Sequence, residues 1–174
     1  MMMARGTDDQ LLLPVNLLFV WASIIAALVF NMLPLGRIAA LPDMLALVLV
    51  FWNVHQPRRV GIGAAFFFGL LMDVHQGAVL GQHAEAYTLL SFLAITVHRR
   101  LLWFSLAEQA LQLLPLFIIA HAVSLAVRLL SSGSFPGWTL LLAPLFEAML
   151  WPIVSFVLLA PQRRAPDRDE QRPL

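Results

Sequence analysis

Residues 66–90 read FFFGLLMDVHQGAVLGQHAEAYTLL. This segment begins as an apolar run typical of a membrane-spanning helix, and it then places Asp73, His75, His83 and Glu85 among apolar neighbours. A carboxylate near the middle of a bilayer costs roughly 2.5–3.5 kcal/mol on insertion scales. Four ionisable groups in so short a stretch therefore indicate a turn at the membrane surface or polar contacts inside a protein.

The composition predicts an integral membrane protein. Hydrophobic residues make up 60% of the 174 residues and charged residues only 12%, whereas soluble domains carry roughly 25% charged residues. A soluble fold of this size could not cover so much apolar surface. There is no cysteine, which excludes disulfides and thiolate metal sites. The net charge of +1 and the lack of a basic face give no reason to expect a nucleic-acid partner.

Six apolar segments each approach the roughly 20 residues that a helix needs to cross a bilayer. They cover residues 12–33, 38–53, 60–74, 81–97, 106–129 and 138–160. Backbone polar groups cannot stay unpaired in lipid, so these segments are predicted to be helices. The predicted architecture is an all-α bundle of six transmembrane helices over residues 11–160. We expect a short cytoplasmic tail at residues 1–10 and a disordered cytoplasmic tail at residues 161–174.

The first apolar run favours a retained span over a cleaved signal peptide. It follows Asp8 and Asp9 and continues beyond the roughly 7–15 apolar residues of a signal peptide.

The arginines predict the orientation of the bundle. With six spans, both termini lie on one side, and nine of the eleven basic residues fall on that side. These nine are Arg5, Arg58, Arg59, Arg99, Arg100, Arg163, Arg164, Arg168 and Arg172. Only Arg37 and Arg128 fall on the other side. Since basic loops stay in the cytoplasm, both termini are predicted to be cytoplasmic.

Small residues recur at intervals of four in the third span, at Gly61, Ala65 and Gly69, and Asp73 follows at the same spacing. Positions four apart share one face of a helix. Small side chains on that face let two helix backbones approach closely. The spacing predicts tight packing of this span, although glycine is also frequent in membrane helices that have no such contact.

Asp73 is expected to stabilise the turn between spans 3 and 4. Its carboxylate can accept hydrogen bonds from backbone N–H groups at the start of span 4, where the helix dipole favours an anion. Gly77 and Gly81 would supply the positive φ of that turn. The alternative is a metal site, which requires the turn to bring Asp73, His75 and His83 together.

Glu147 lies inside the sixth span, where a charge has to face a polar partner. His121 in the fifth span is a candidate for this polar partner. Glu147 could form an internal structural pair with His121, donate as a protonated acid to a carbonyl, or contact and switch a partner protein. An intramembrane hydrolase built from Asp73 and Glu147 is a further, catalytic alternative.

Motifs of catalysis are missing from the sequence. It contains no HExxH helix, no Gly-x-Ser-x-Gly turn and no Walker loop. We therefore predict a protein that is not an enzyme. Five tryptophans lie mostly near the predicted span ends, which predicts an interfacial belt. They are Trp21, Trp52, Trp103, Trp138 and Trp151.

A longer pattern supports a family resemblance. In order, it consists of Pro42-Asp43, Phe51-Trp52, Pro57, Arg59-Val60, Gly69, Asp73, Gly77, Leu80-Gly81, Ala84 through Tyr87 and, in span 6, Leu150-Trp151-Pro152. In this pattern the chain resembles the bacterial rod shape-determining MreD family over most of its length, most densely at residues 41–93. Glu85 departs from the pattern, because a small or apolar residue is expected there.

The resemblance implies a scaffold without cofactor in the bacterial inner membrane, which regulates cell shape and lateral peptidoglycan synthesis. The implied partners are MreC, the synthase RodA, a class B penicillin-binding transpeptidase, membrane lipid and, indirectly, the MreB filament. The family is similar in fold to the vitamin-binding membrane subunits of energy-coupling-factor transporters. That likeness leaves a small-molecule-binding transporter subunit as the alternative, with a cavity lined by Glu85, His121 and Glu147.

No catalytic, cofactor or metal-binding residue is assigned. The residues expected to serve structure or partner binding are Asp43, Arg59, Gly69, Asp73, Gly77, Gly81, Tyr87, Glu147, Trp151 and Pro152. Arg58 and Arg59 are also expected to contact anionic lipid headgroups, each worth about 1 kcal/mol near the surface.

Overall fold

The computed structural model describes residues 16–33, 41–133, 135 and 137–162. These residues form six α-helices, and each helix corresponds to one predicted span. The helices are α1 (Leu17–Met32), α2 (Met44–His55), α3 (Gly61–Gln76), α4 (Gln82–Leu101), α5 (Leu106–Ser132) and α6 (Ala143–Leu159). Short 3-10 helices, Trp138–Leu142 and Ala160–Gln162, flank α6. The predicted N-terminal tail, nearly all of the predicted C-terminal tail and the predicted starts of the first two spans lie outside the described residues.

Helix lengths differ widely across the bundle. The helical stretches Leu106–Ser132 and Trp138–Gln162 are long and apolar enough to cross a membrane, and α1 and α2 are shorter apolar helices. At 12 residues, α2 is only about 18 Å long. The all-helical fold is therefore confirmed for the described residues, while the sixfold crossing of the membrane stays a prediction.

Helix α2 lies at the centre of the bundle. All residues from Leu45 to Val54 are buried, and α2 contacts α1, α4 and α6. These contacts cover its continuous apolar run, so the run faces other helices rather than lipid. The Asp43 carboxylate caps its first turn by accepting from the Ala46 N–H at 2.9 Å.

The tight packing predicted for the third span occurs between α3 and α4. Ala65, Gly69 and Asp73 share the buried face of α3. A β-carbon added at Gly69 would lie 2.4 Å from the Cα of Ala84, so the two backbones are in direct contact there. Gly61 does not belong to this contact, because no atom lies within 4 Å of its added β-carbon.

The predicted glycine turn between α3 and α4 is confirmed. Gly77 caps the end of α3 with φ 60°, and Gly81 precedes α4 with φ 108°. Both values lie in the left-handed region that residues with a β-carbon rarely adopt.

The predicted tryptophan belt is wrong for two of its members. Trp103 and Trp138 are 90% and 78% exposed, as an interfacial position requires, but Trp52 and Trp151 are fully buried. The indole N–H of Trp52 donates to Ser23 Oγ at 2.8 Å. The indole N–H of Trp151 donates to Gln109 Oε1 at 3.1 Å. These partners inside the bundle, rather than the membrane interface, satisfy the two indoles.

Candidate functional site

The first polar site, the Asp73 cluster, consists of Asp73, Gly81, His83 and Ala84. Asp73 is fully buried in the last turn of α3. Its carboxylate accepts from the backbone N–H groups of Gly81 at 2.8 Å, His83 at 2.7 Å and Ala84 at 3.4 Å. The predicted role of Asp73 as an acceptor at the start of α4 is thereby confirmed, with the carboxylate at the positive end of the helix.

The two histidines near Asp73 have different environments: His83 contacts the Asp73 carboxylate and His75 does not. His83 Nδ1 lies 2.8 Å from Asp73 Oδ1, and the His83 ring meets the Tyr87 ring edge-on at 6.0 Å. His75 is exposed on the other face of α3, because residues two apart diverge by about 200° on a helix. The described residues contain no group of three metal-binding side chains, so the turn does not build the alternative metal site.

The second polar site, the Asp43 cluster, consists of Asn31, Asp43, Tyr87, His121 and Glu147. Asn31 Nδ2 donates to Asp43 Oδ1 at 2.6 Å, and Asn31 Oδ1 accepts from the Met44 N–H at 3.2 Å. The Tyr87 hydroxyl donates to Asp43 Oδ2. The backbone N–H of Asp43 donates to Glu147 Oε1 at 3.1 Å. One cluster therefore connects α1, the start of α2, α4 and α6.

Glu147 and His121 extend the Asp43 cluster to α5, as predicted for this pair. Glu147 is fully buried, and its Oε1 lies 3.4 Å from His121 Nε2. His121 Nδ1 lies 3.1 Å from the Phe117 carbonyl, so Nδ1 carries the hydrogen of that bond. A bond between Nε2 and Oε1 then needs one further proton, held by the ring or by the carboxyl group. At 3.4 Å, the pair joins α5 to α6 through a weak polar contact.

The two clusters lie at the same end of the molecule, which we call the polar end. Helices α2, α4 and α6 begin there and α1 and α3 end there, so Asp43, Asp73 and Tyr87 come together from distant parts of the chain. The opposite end, the arginine end, contains the α2–α3 and α4–α5 turns. It carries the exposed side chains of Arg58, Arg59, Arg99 and Arg100.

The remaining predicted site residues lie apart from these clusters. Arg59 is at the arginine end, in the α2–α3 turn. Trp151 packs in the core with its indole on Gln109, and Pro152 follows it inside α6. Gly69, Gly77 and Gly81 shape α3 and its turn rather than present a polar group.

Sequence reasoning missed two members of the polar interior. Asn31 bonds both Asp43 and the α2 backbone, and a lone amide in the last turn of an apolar helix was the available signal. Asn53 donates to Ser91 Oγ at 2.9 Å and so connects α2 to α4 deeper in the bundle.

Glu85 does not share a cavity with His121 and Glu147. It is exposed and lies on a different face of α4 from the buried Ala84, Ala86 and Tyr87. Its side chain borders a shallow surface groove with Ile62, Phe66, Thr88, Leu89 and Phe92. The cavity expected for a transporter subunit is therefore not formed by these three residues.

Comparisons with known proteins match the chain to one family. The family model of the rod shape-determining protein MreD matches residues 10–160. The rod shape-determining protein MreD of Haemophilus influenzae is 31% identical over 135 residues, which cover 75% of this chain and 80% of that protein. No solved structure matches the chain, so the predicted likeness to energy-coupling-factor subunits stays a prediction.

Proposed function

Because the chain belongs to the MreD family of rod shape-determining proteins, we propose that it serves as a membrane scaffold of the cell-elongation machinery. The family consists of membrane proteins with a structural role in cell shape and without enzymatic activity. In our proposal the scaffold binds MreC and the cell-wall synthase formed by RodA and a class B transpeptidase. The contact with the MreB filament is indirect.

One observation supports a scaffold best: the interior is filled. Phe51, Trp52, Phe117 and Trp151 are fully buried in one continuous core, where a transporter subunit would need an open cavity. The carboxylates of Asp43 and Asp73 accept hydrogen bonds from neighbouring helices. Surfaces that recognise other molecules therefore lie on the outside of the bundle.

The two long helices offer such surfaces. Exposed apolar side chains cover the outer faces of α5 and α6, and they include Leu111, Ile118, Leu130, Met149, Ile153 and Phe156. Such faces can pack by van der Waals contact against further membrane helices. We propose that the transmembrane helices of partners dock here, while the Asp43 and Asp73 clusters keep the bundle rigid.

In the proposed topology all six helices cross the inner membrane and both termini are cytoplasmic. The four arginines of the arginine end then face the cytoplasm, as the positive-inside rule requires. The polar end faces the periplasm, where the cell-wall enzymes act. Such a protein would hold periplasmic enzymes in register with the cytoplasmic filament.

Co-purification in mild detergent tests this function. A tagged copy in a rod-shaped bacterium should retain the MreC homologue and the synthase through the purification. A tagged protein that repeatedly purifies alone, while the synthase complex stays intact, would contradict the scaffold. Reporter fusions test the topology separately, since a reporter active in the periplasm at either terminus would exclude it.

A further inference from the structure

A shallow groove lies between the end of α4 and the first half of α5, at the arginine end. Val97, Arg100, Phe104, Gln112 and Pro115 line it. Three of these side chains are apolar, one is a cation and one is an amide. A ligand that matches this groove has an apolar body and an anionic group at one end.

Arg100 is the cation that such a ligand would meet. It is exposed, and no carboxylate pairs with it within the part of the chain that the structure describes. Glu108 is the one described acid at this end, and its carboxylate accepts from the backbone N–H and the hydroxyl of Ser105 at 2.9 and 3.0 Å. Arg58 and Arg99 are exposed at the same end. With these three arginines against one carboxylate, the net charge beside the groove is positive.

Aromatic side chains indicate the depth of the groove in the membrane. Trp103, in the turn after α4, is 90% exposed, and exposed tryptophans at helix ends mark the interface between lipid headgroups and hydrocarbon. Arg100 lies one turn before it on the membrane side, and its long side chain can extend from there to the headgroups. Val97 and Pro115 lie deeper, at the level of acyl chains.

Pro115 leaves one backbone carbonyl on the α5 side of the groove without its usual hydrogen-bond donor. Proline has no N–H, so the carbonyl of Leu111 lacks its ordinary helical donor. The neighbouring side chain of Gln112 adds an amide that can donate to an ester carbonyl. Apolar walls with a few polar groups near the interface match the glycerol region of a phospholipid.

We propose that this groove binds one phospholipid with an anionic headgroup. The phosphate lies on the Arg100 guanidinium, which offers two parallel donors, and one acyl chain lies along Val97, Phe104 and Pro115. This site involves neither cluster of the polar end. It requires no partner protein, so it is independent of the proposed scaffold function.

Quenching of Trp103 by brominated lipid tests the site. The full chain is placed in bilayers of phosphatidylcholine that contain a minor fraction of brominated phosphatidylglycerol or, separately, brominated phosphatidylcholine. Brominated phosphatidylglycerol should quench Trp103 at about fivefold lower mole fraction, the factor that roughly 1 kcal/mol for one arginine gives. A Trp103→Phe variant supplies the background of the other tryptophans.

Two matched variants locate the effect. Arg100→Gln should remove most of the preference for phosphatidylglycerol, whereas Arg99→Gln, the same charge change one position away and outside the groove lining, should alter it less than twofold. Val97→Phe fills the groove without changing charge and should also weaken the preference.

Three results would overturn the proposal. The first is equal quenching by both brominated lipids. The second is an equal effect of Arg99→Gln and Arg100→Gln, which would show diffuse attraction to the membrane surface. The third is displacement of the brominated lipid when MreC is co-reconstituted, which would assign the groove to a partner helix.

Discussion

The Asp43 and Asp73 clusters use the same chemistry over very different distances along the chain. Asp73 accepts from residues eight to eleven positions later, and it joins two consecutive helices. Asp43 bonds Asn31 and Tyr87, twelve and forty-four positions away, and its backbone N–H reaches Glu147, which is 104 positions away. The Asp73 cluster therefore stabilises one local turn, and the Asp43 cluster joins five of the six described helices.

This difference suggests separate consequences for mutation. Damage at Asp73 should separate α3 from α4 and leave the other helices together. Damage at Asp43 should loosen the contacts of α2 with α1, α4 and α6 at once.

Charge reversal at Asp73 should have the largest effect. Asp73→Lys places a buried cation against three backbone N–H donors at a helix N-terminus, where both charge and hydrogen bonding oppose it. We expect loss of the protein from the membrane fraction and round cells, measured by immunoblotting and microscopy. His75→Lys, exposed on the opposite face, is the matched control. Normal accumulation of Asp73→Lys would refute the assignment of the turn.

Gly69→Ala should be nearly as damaging. The added β-carbon would lie 2.4 Å from the Ala84 Cα, so α3 and α4 have to separate at a cost of about 3 kcal/mol. Thermal unfolding in detergent measures the loss. Gly63→Ala on the same helix meets no atom within 4 Å and should be neutral or slightly stabilising. Equal behaviour of the two variants would mean that α3 and α4 do not touch at Gly69.

A double-mutant cycle tests whether Asp43 and Tyr87 act together. Removing the hydroxyl with Tyr87→Phe leaves Asp43 Oδ2 without this donor and should cost about 2 kcal/mol. The coupling energy with Asp43→Asn should be about 1 kcal/mol.

The same cycle between Asp43→Asn and Asp73→Asn should give additive losses within about 0.5 kcal/mol, because the two clusters share no hydrogen bond among the described residues. Strong coupling between the two aspartates would mean that they form one site, and the contrast between local and global clusters would fail.

The smallest effect is expected at His121. Its Nε2 lies 3.4 Å from Glu147 Oε1, beyond the length of a good hydrogen bond. His121→Gln keeps a polar side chain near Glu147 and should lower the free energy of unfolding by about 1 kcal/mol or less. Glu147→Leu should cost more than this, because it also removes the acceptor of the Asp43 N–H. A reversed order would show that Glu147 depends mainly on the histidine.

The sequence predicted contacts between consecutive helices more reliably than contacts between helices that are far apart in the chain. The Asp73 cap, the two turn glycines and the contact of Gly69 follow from spacing within one helix pair. The pairing of His121 with Glu147 was also predicted, because a buried acid needs a partner. The meeting of Asn31, Asp43 and Tyr87 depends on how three separate helices pack, and no periodicity encodes that arrangement.

The tryptophans show the same limit. Trp103 and Trp52 both lie near helix ends in the sequence, yet one is exposed and the other is in the core. The difference arises because α2 is surrounded by other helices, while the α4–α5 turn is on the surface. Position along a span therefore does not report depth in the bundle.

The central claim is that the buried acids stabilise the bundle and that partner binding at its surface gives the function. The most direct test plots rescue of rod shape against the amount of folded protein in the membrane. Variants Tyr87→Phe, Asp43→Asn and Glu147→Gln are expressed in a rod-shaped bacterium that lacks its own homologue. We predict that all three fall on one curve, so that shape is lost only as folded protein is lost. A variant with normal amount and stability that still fails to restore rod shape would contradict the claim.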